Sequence, residues 1–394
     1  MNSRRPRPAR TPRRPGRALA ATLGLALAAC ASTRPAARGP EAPRQPEEIR
    51  FEEGSAVAVS RLDLELAGKN GEELFALGTA AFASGDFRRA AAAFGRLADL
   101  HPDSPHLAAA LFNAGLSHER LGEWREALAR FQAVEKGYTG PDADEAAFHA
   151  AAARWHLGEL GEARAILAEL LRRPDLGGAN RIRALTESGV VDLELGDRDE
   201  AERQLRLAIS AWTEAADRER LDPYHPAQAH YYLGEVARSR FREVRLDPSG
   251  DGDPALRAAL ERKAELLLAA QGYYLRAIRV GDPDWAIASG YRIGELYDEL
   301  HAQMTTAPLP PGLSEEERQA YREELGRKLK VLLVKAIGVY EQTLAAARQG
   351  KVDNRFVEEA QVSLERMKRL LVETEALPPE AEAPLPAGDG TGRR

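Results

Sequence analysis

From residue 71 onward the chain repeats itself, and that repeat restricts its fold more than any other feature. Small residues at Gly78, Gly115, Ala151 and Gly189 each precede a glycine seven places on, at Gly85, Gly122, Gly158 and Gly196. Each glycine leads to an alanine (Ala90, Ala127, Ala163, Ala201) and then to a large apolar residue (Phe94, Phe131, Leu167, Leu205). The alanines are 37, 36 and 38 residues apart. A period of this size marks one supersecondary unit that cannot bury its apolar face alone and must stack on its neighbours.

The residue types fit two antiparallel helices per unit. Gly or Ala suits the place where paired helices cross closely, because a larger side chain there would force them apart. The glycines at 85, 122, 158 and 196 end each first helix, where a left-handed residue is commonly needed. The large residue after each alanine fills the gap to the next hairpin. Beyond residue 219 the pattern stretches. Leu233-Gly234 fits a first helix, and after an insertion Ala270, Tyr274 and Ala277 fit its partner. Ile293-Gly294 and Tyr297 are followed, after a second insertion, by Ala336 and Tyr340.

This array resembles the tetratricopeptide-repeat family over about 280 of the 394 residues. The resemblance implies an all-α fold, a right-handed superhelical solenoid of antiparallel helix pairs. Residues 71–218 give four regular repeats, 219–350 two degenerate hairpins with insertions, and 351–375 a capping helix with a polar outer face. Residues 51–70 form a lead-in. Val57, Val59, Leu62, Leu64 and Leu66 alternate there with period two, which predicts an extended segment.

In the family frame, places 5, 9, 12 and 13 of each first helix line the concave face. Phe75, Phe112 and Phe148 hold the fifth place of successive repeats, Phe82 and Trp155 the twelfth, and His156 lies beside Trp155. These six form a candidate aromatic groove for an extended or helical peptide of a partner protein. The same rings could instead pack against the neighbouring first helix. The Lys and Asn that grip a free C-terminal carboxylate in some members are missing, since Phe75, Phe112, Phe148 and Thr186 hold the fifth places.

The first 29 residues read as a secretory signal: seven arginines and no acids, then an apolar run at 18–29. That run is shorter than the roughly 20 residues needed to span a bilayer. Leu27-Ala28-Ala29-Cys30 resembles the bacterial lipobox, and the resemblance implies a lipidated Cys30 after cleavage. Cys30 is the single cysteine, so no internal disulfide can form. Residues 30–50 and 376–394, rich in Pro, Ala and charge, read as a flexible tether and a disordered tail. From Cys30 on, 48 basic residues face 61 acidic ones, a net charge of −13. That balance gives no electrostatic basis for nucleic-acid binding or for attraction to anionic lipid. The membrane link would be the lipid itself.

Lipobox and repeats together resemble periplasm-facing outer-membrane lipoproteins that serve β-barrel insertion, pilus-secretin assembly or gliding motility. The composition and tether look most like the gliding-motility members. Ala31 and Ser32 after the cysteine imply the outer membrane rather than the inner one. Chemistry-bearing motifs are sparse. The eight histidines form no H-E-x-x-H, and there is no nucleophile elbow, Walker loop or dinucleotide fingerprint. His149 and His156, two turns apart, read as packing or solvated residues rather than metal ligands. The stretch from Asp247 to Asp253 lacks calcium-loop spacing and reads as a turn. No enzyme, cofactor, metal or small-molecule substrate is expected. The expected role is a scaffold binding envelope proteins. The alternatives are a spacer between outer membrane and cell wall, or a glycan-acting enzyme on a helical solenoid.

Overall fold

The computed structural model describes residues 61–246, 253–309 and 312–375. Among these residues the fold is all-α, as the repeat pattern requires. The helices are α1 (Arg61–Leu66), α2 (Gly71–Ala83), α3 (Phe87–Leu100), α4 (Leu107–Leu121), α5 (Trp124–Gly137), α6 (Pro141–His156) and α7 (Leu160–Arg172). They continue as α8 (Gly178–Glu194), α9 (Arg198–Glu214), α10 (Tyr224–Glu243), α11 (Asp253–Val280), α12 (Pro283–Thr306), α13 (Glu315–Gly350) and α14 (Arg355–Glu375). The chain divides inside α5 into two compact units, one up to Ala133 and one from Val134. None of the described helices is long and apolar enough to cross a membrane.

In the first unit, Asn70 starts α2 with a capping box: its side chain accepts from Glu73 N, and Glu73 in turn accepts from Asn70 N. Asp86 caps α3 by its side chain alone, which accepts from Arg89 N. Gly85 turns between the two helices at φ 82°, a conformation that would strain a residue bearing a Cβ. The crossing is closed by Gly78, where a Cβ would stand 2.7 Å from the Phe94 ring. Gly115 repeats this against Phe131 at 2.6 Å. Phe94 and Phe131 are fully buried, and each contributes about 2–3 kcal/mol by leaving water.

The segment expected to be extended is helical where it is described. Residues 61–66 form α1, and residues 57–60 lie outside the described part. Leu62 and Leu66 are also four apart, and both pack against the first hairpin core, while Leu64 is 65% exposed. With no strand among the described residues to pair with, an extended segment would leave its backbone groups unpaired, whereas a helix pairs them internally.

In the second unit the same notch recurs, including in the stretched hairpins. A Cβ on Gly189 would stand 2.5 Å from Leu205, on Gly234 2.4 Å from Tyr274, and on Gly294 2.4 Å from Tyr340. Ala151 and Leu167 hold these places in the third hairpin, both buried. The insertions lengthen the second helices: α11 has 28 residues and α13 has 36, against 14, 13 and 17 in α3, α7 and α9. A close-packed core joins α10 to α14 through Phe241, Tyr274, Tyr340, Phe356 and Met367. Lys263, 1% exposed, donates from Nζ to the Phe241 carbonyl at 2.6 Å and so satisfies the end of α10. Burial lowers its pKa, while the Glu299 charge partly opposes that.

Candidate functional site

The candidate groove residues fall into two groups, one in each unit. In the first unit, Phe75, Phe82 and Phe112 are all half-buried. Glu72, Phe75, Thr79 and Phe82 succeed one another along one face of α2, at helical spacing. Phe75 sets its edge against buried Phe94 at 5.7 Å, and His106 stacks on it at 4.3 Å and 11°. His106 Nε2 lies 2.8 Å from Glu72 Oε2, so a charged rim borders the ring. Phe82 meets Phe87 edge-on at 5.3 Å, and Phe112 meets buried Phe131 edge-on at 5.6 Å. Phe75 and Phe112 are thus held by core rings and Phe82 by half-buried Phe87, and each keeps part of its surface in water. Exposed Thr79 sits between Phe75 and Phe82, and half-buried Leu116 extends the Phe112 face.

In the second unit Phe148 departs from the expected role. It is fully buried, and the Arg183 guanidinium covers its ring at 4.0 Å. Arg183 Nη1 donates to both oxygens of Glu145 at 2.9 Å, and Nε donates to Glu187 at 3.1 Å. Burial works to raise the Glu145 pKa, but hydrogen bonds from His149 and Arg183 and the Arg183 charge hold it at about 2. Phe148 is therefore core, not groove. Trp155 and His156 are half-buried and meet edge-on at 4.7 Å, with Trp155 packed on the cluster around Ala147, Ala151 and Leu167. His149 Nε2 lies 3.4 Å from Glu145 Oε1, a contact that is an ion pair when the imidazole is protonated. Among the described residues, no three His, Cys, Asp or Glu side chains converge as a metal site. Cys30 and the turn at 247–252 lie outside the described residues.

Sequence reasoning passed over the densest polar cluster. Arg238 on α10, 2% exposed, donates to Glu295 at 2.9 Å and also to Glu299, both on α12. In return, Arg292 on α12 reaches Tyr231 Oη at 2.9 Å and Glu235 at 3.2 Å on α10. Arg242 donates to Glu299 at 3.1 Å, and Arg366 on α14 to Asp298 at 3.1 Å. Burial works to raise the Glu299 pKa, yet bonds from Arg242 and Arg238 keep it below the ordinary value. Tyr224, Tyr231 and Tyr232 surround Trp285 at 5.7, 4.9 and 5.8 Å. Three arginines answer three glutamates, so the cluster ties α10 to α12. The signal was available: Tyr231, Glu235 and Arg238 hold places 5, 9 and 12 of one first helix, and Tyr291 and Glu295 hold places 5 and 9 of the next.

A tetratricopeptide-repeat family model matches residues 75–124 and 112–177. No curated protein matches the sequence. Among solved structures, a tetratricopeptide repeat protein from Parabacteroides merdae is 17% identical, with 77% of this chain and 98% of that one covered, at a TM-score of 0.36. The apo form of RapI is 11% identical, covering 77% and 99%, at 0.42. The yeast Sti1 fragment in complex with an Hsp90 segment is 15% identical, covering 77% and 98%, at 0.27. Scores this low carry no weight beyond those figures; the family match and the Gly-on-ring hairpins are the grounds for the assignment. Residues 75–177 thus match tetratricopeptide repeats, and the first two hairpins there close on Gly78 against Phe94 and Gly115 against Phe131.

Proposed function

We propose that this protein is a lipid-anchored, periplasm-facing scaffold that binds other envelope proteins through the first helices of its first two hairpins. The observation that carries the reading is the half-buried aromatic face of α2 and α4. Phe75, Phe82 and Phe112 are each braced by a core or neighbouring ring and are only half-buried. Rigid rings with few rotatable bonds lose little entropy when a partner covers them, and aromatic residues are enriched at interface cores for that reason. The lipobox-like Leu27-Ala28-Ala29-Cys30 supports the anchor, and Ala31 and Ser32 support the outer membrane. Motility, secretion and barrel assembly are the envelope processes in which such lipoproteins serve.

The test places a photo-crosslinking residue at Thr79, between Phe75 and Phe82, in the lipidated protein within native envelopes. A discrete adduct should form, and it should vanish with Phe75→Ser plus Phe112→Ser while far-UV circular dichroism stays unchanged. An adduct indifferent to both substitutions, or none at all, would overturn the groove. Cys30→Ser should release the protein from the membrane fraction; retention there would overturn the anchor.

A further inference from the structure

The start of α13 runs past the ends of α12 and α14. The Gly294–Tyr340 and Gly290–Thr343 contacts fix the register of α12 against α13, and at equal rise per residue Thr306, the last residue of α12, comes level with about residue 328. On the other side, Lys330 Nζ pairs with Glu375, the last residue of α14, at 2.7 Å. Residues 315–327 of α13 therefore project beyond both neighbours by about 20 Å. They still carry an apolar stripe. Tyr321, Leu325 and Leu329 lie four residues apart, and exposure falls from 42% at Tyr321 through half-buried Leu325 to 5% at Leu329. The stripe continues the core outward to Tyr321, which is exposed.

Where the chain leaves α14 points to an occupant. Lys368 pairs with Glu341 at 3.0 Å and Lys330 with Glu375, so α14 runs antiparallel to α13 and heads towards its projecting start. The residues that follow, 377–386, read Leu-Pro-Pro-Glu-Ala-Glu-Ala-Pro-Leu-Pro. Four prolines forbid a continued helix and favour the extended polyproline conformation, which advances about 3.1 Å per residue and docks readily on aromatic rings. The ten residues, nine rises from end to end, reach about 28 Å, enough to follow the projecting stretch. The charges also match: Glu380 and Glu382 would meet Arg318 and Arg322, which are 46% and 53% exposed and held only loosely by Glu315 at 3.5 and 3.8 Å.

We propose that residues 377–386 of this chain lie along the projecting start of α13, with Leu and Pro side chains over Tyr321 and Leu325 and with Glu380 and Glu382 beside Arg318 and Arg322. A segment with no core of its own becomes ordered on a stripe that would otherwise face water. The contact is separate from the aromatic face of α2 and α4, and it stands or falls without it.

Hydrogen exchange of the amides of residues 318–328 tests it, in the full chain and in a chain ending at Glu375. Removing the segment should speed exchange there by about tenfold or more and leave α10 and α12 unchanged. A full-length variant with Leu377→Ser, Leu385→Ser, Glu380→Lys and Glu382→Lys should do the same, which guards against a truncated chain that misfolds. Equal exchange in the full chain and the full-length variant would overturn the proposal. So would protection that grows with protein concentration, because a second copy would then be the cover.

Discussion

Asp192 on α8 is a charge in an unfavourable place, and replacing it should stabilise the protein. Its residue exposure is 1%. Arg164 Nε lies 3.0 Å from Oδ1, yet that oxygen has no hydrogen bond of acceptable geometry. Burial raises the pKa, Arg164 lowers it, and Glu200 and Asp197 raise it further, so that it moves from the ordinary 3.8 to about 6. A folded-state pKa above the unfolded one means that the native protein holds the proton more tightly. Stability from this group is then fully present below pH 3.8 and is lost as pH rises through 6. Taken whole, the shift is worth about 3 kcal/mol at pH 7. Asp197, one of the charges that push it up, is 48% exposed, and solvent screening of that repulsion reduces the figure to about 1–2 kcal/mol. Asp192→Asn should therefore be more stable than the native chain by about 1–2 kcal/mol at pH 7. Its advantage should shrink steadily towards zero near pH 4. Urea unfolding followed by far-UV circular dichroism at pH 4, 5, 6 and 7 measures both, and an unchanged slope certifies that the midpoints report stability. Taking the difference between the two proteins cancels the other carboxylates, many of which titrate in the opposite sense. An Asn variant no more stable at pH 7, or one whose advantage ignores pH, would refute the desolvation account.

Two further substitutions test the packing of the stretched hairpins. Gly234→Ala drives a Cβ to 2.4 Å from Tyr274 and should cost about 1–3 kcal/mol, whereas Gly338→Ala on α13, with nothing within 4 Å, should gain about 1 kcal/mol in the same urea assay. Arg238→Met leaves Glu235, Glu295 and Glu299 without their buried partner and should cost about 3–5 kcal/mol, while Arg203→Met, 61% exposed, should change stability by under about 0.5 kcal/mol.

The hairpins were legible in the sequence because each one needs the same two residues at its crossing. Gly78 with Phe94, Gly115 with Phe131 and Gly189 with Leu205 keep one separation, so their register can be counted. Gly234 with Tyr274 and Gly294 with Tyr340 lose that separation yet keep the residue types, because an insertion can lengthen a second helix without altering the notch. α1 was misread for a physical reason. Leu62, Leu64 and Leu66 satisfy period two, but Leu62 and Leu66 alone satisfy a helical turn, and six residues cannot separate the two patterns.

The candidate groove was legible as a set of places but not as a surface. Phe75 and Phe148 hold the same place, yet one is half-buried and the other fully covered. The difference comes from the next first helix. After Phe148 its second place is Arg183, long enough to lay a guanidinium over the ring, and after Phe75 it is Ala109, which has no such reach. The ionic cluster escaped for a related reason: Arg238 meets Glu295 and Glu299 57 and 61 residues away, and two insertions hide that register. Together these facts separate the two ends of the repeat array by what their first helices do. In α10 and α12 the polar groups at the concave places satisfy one another, so a partner would have to break buried ion pairs to engage them. In α2 and α4 the same places carry half-exposed rings braced by other rings, and the ion pair beside them, His106 with Glu72, lies at a partly exposed rim rather than in the core. A partner that grips this chain meets the least resistance at Phe75, Phe82 and Phe112.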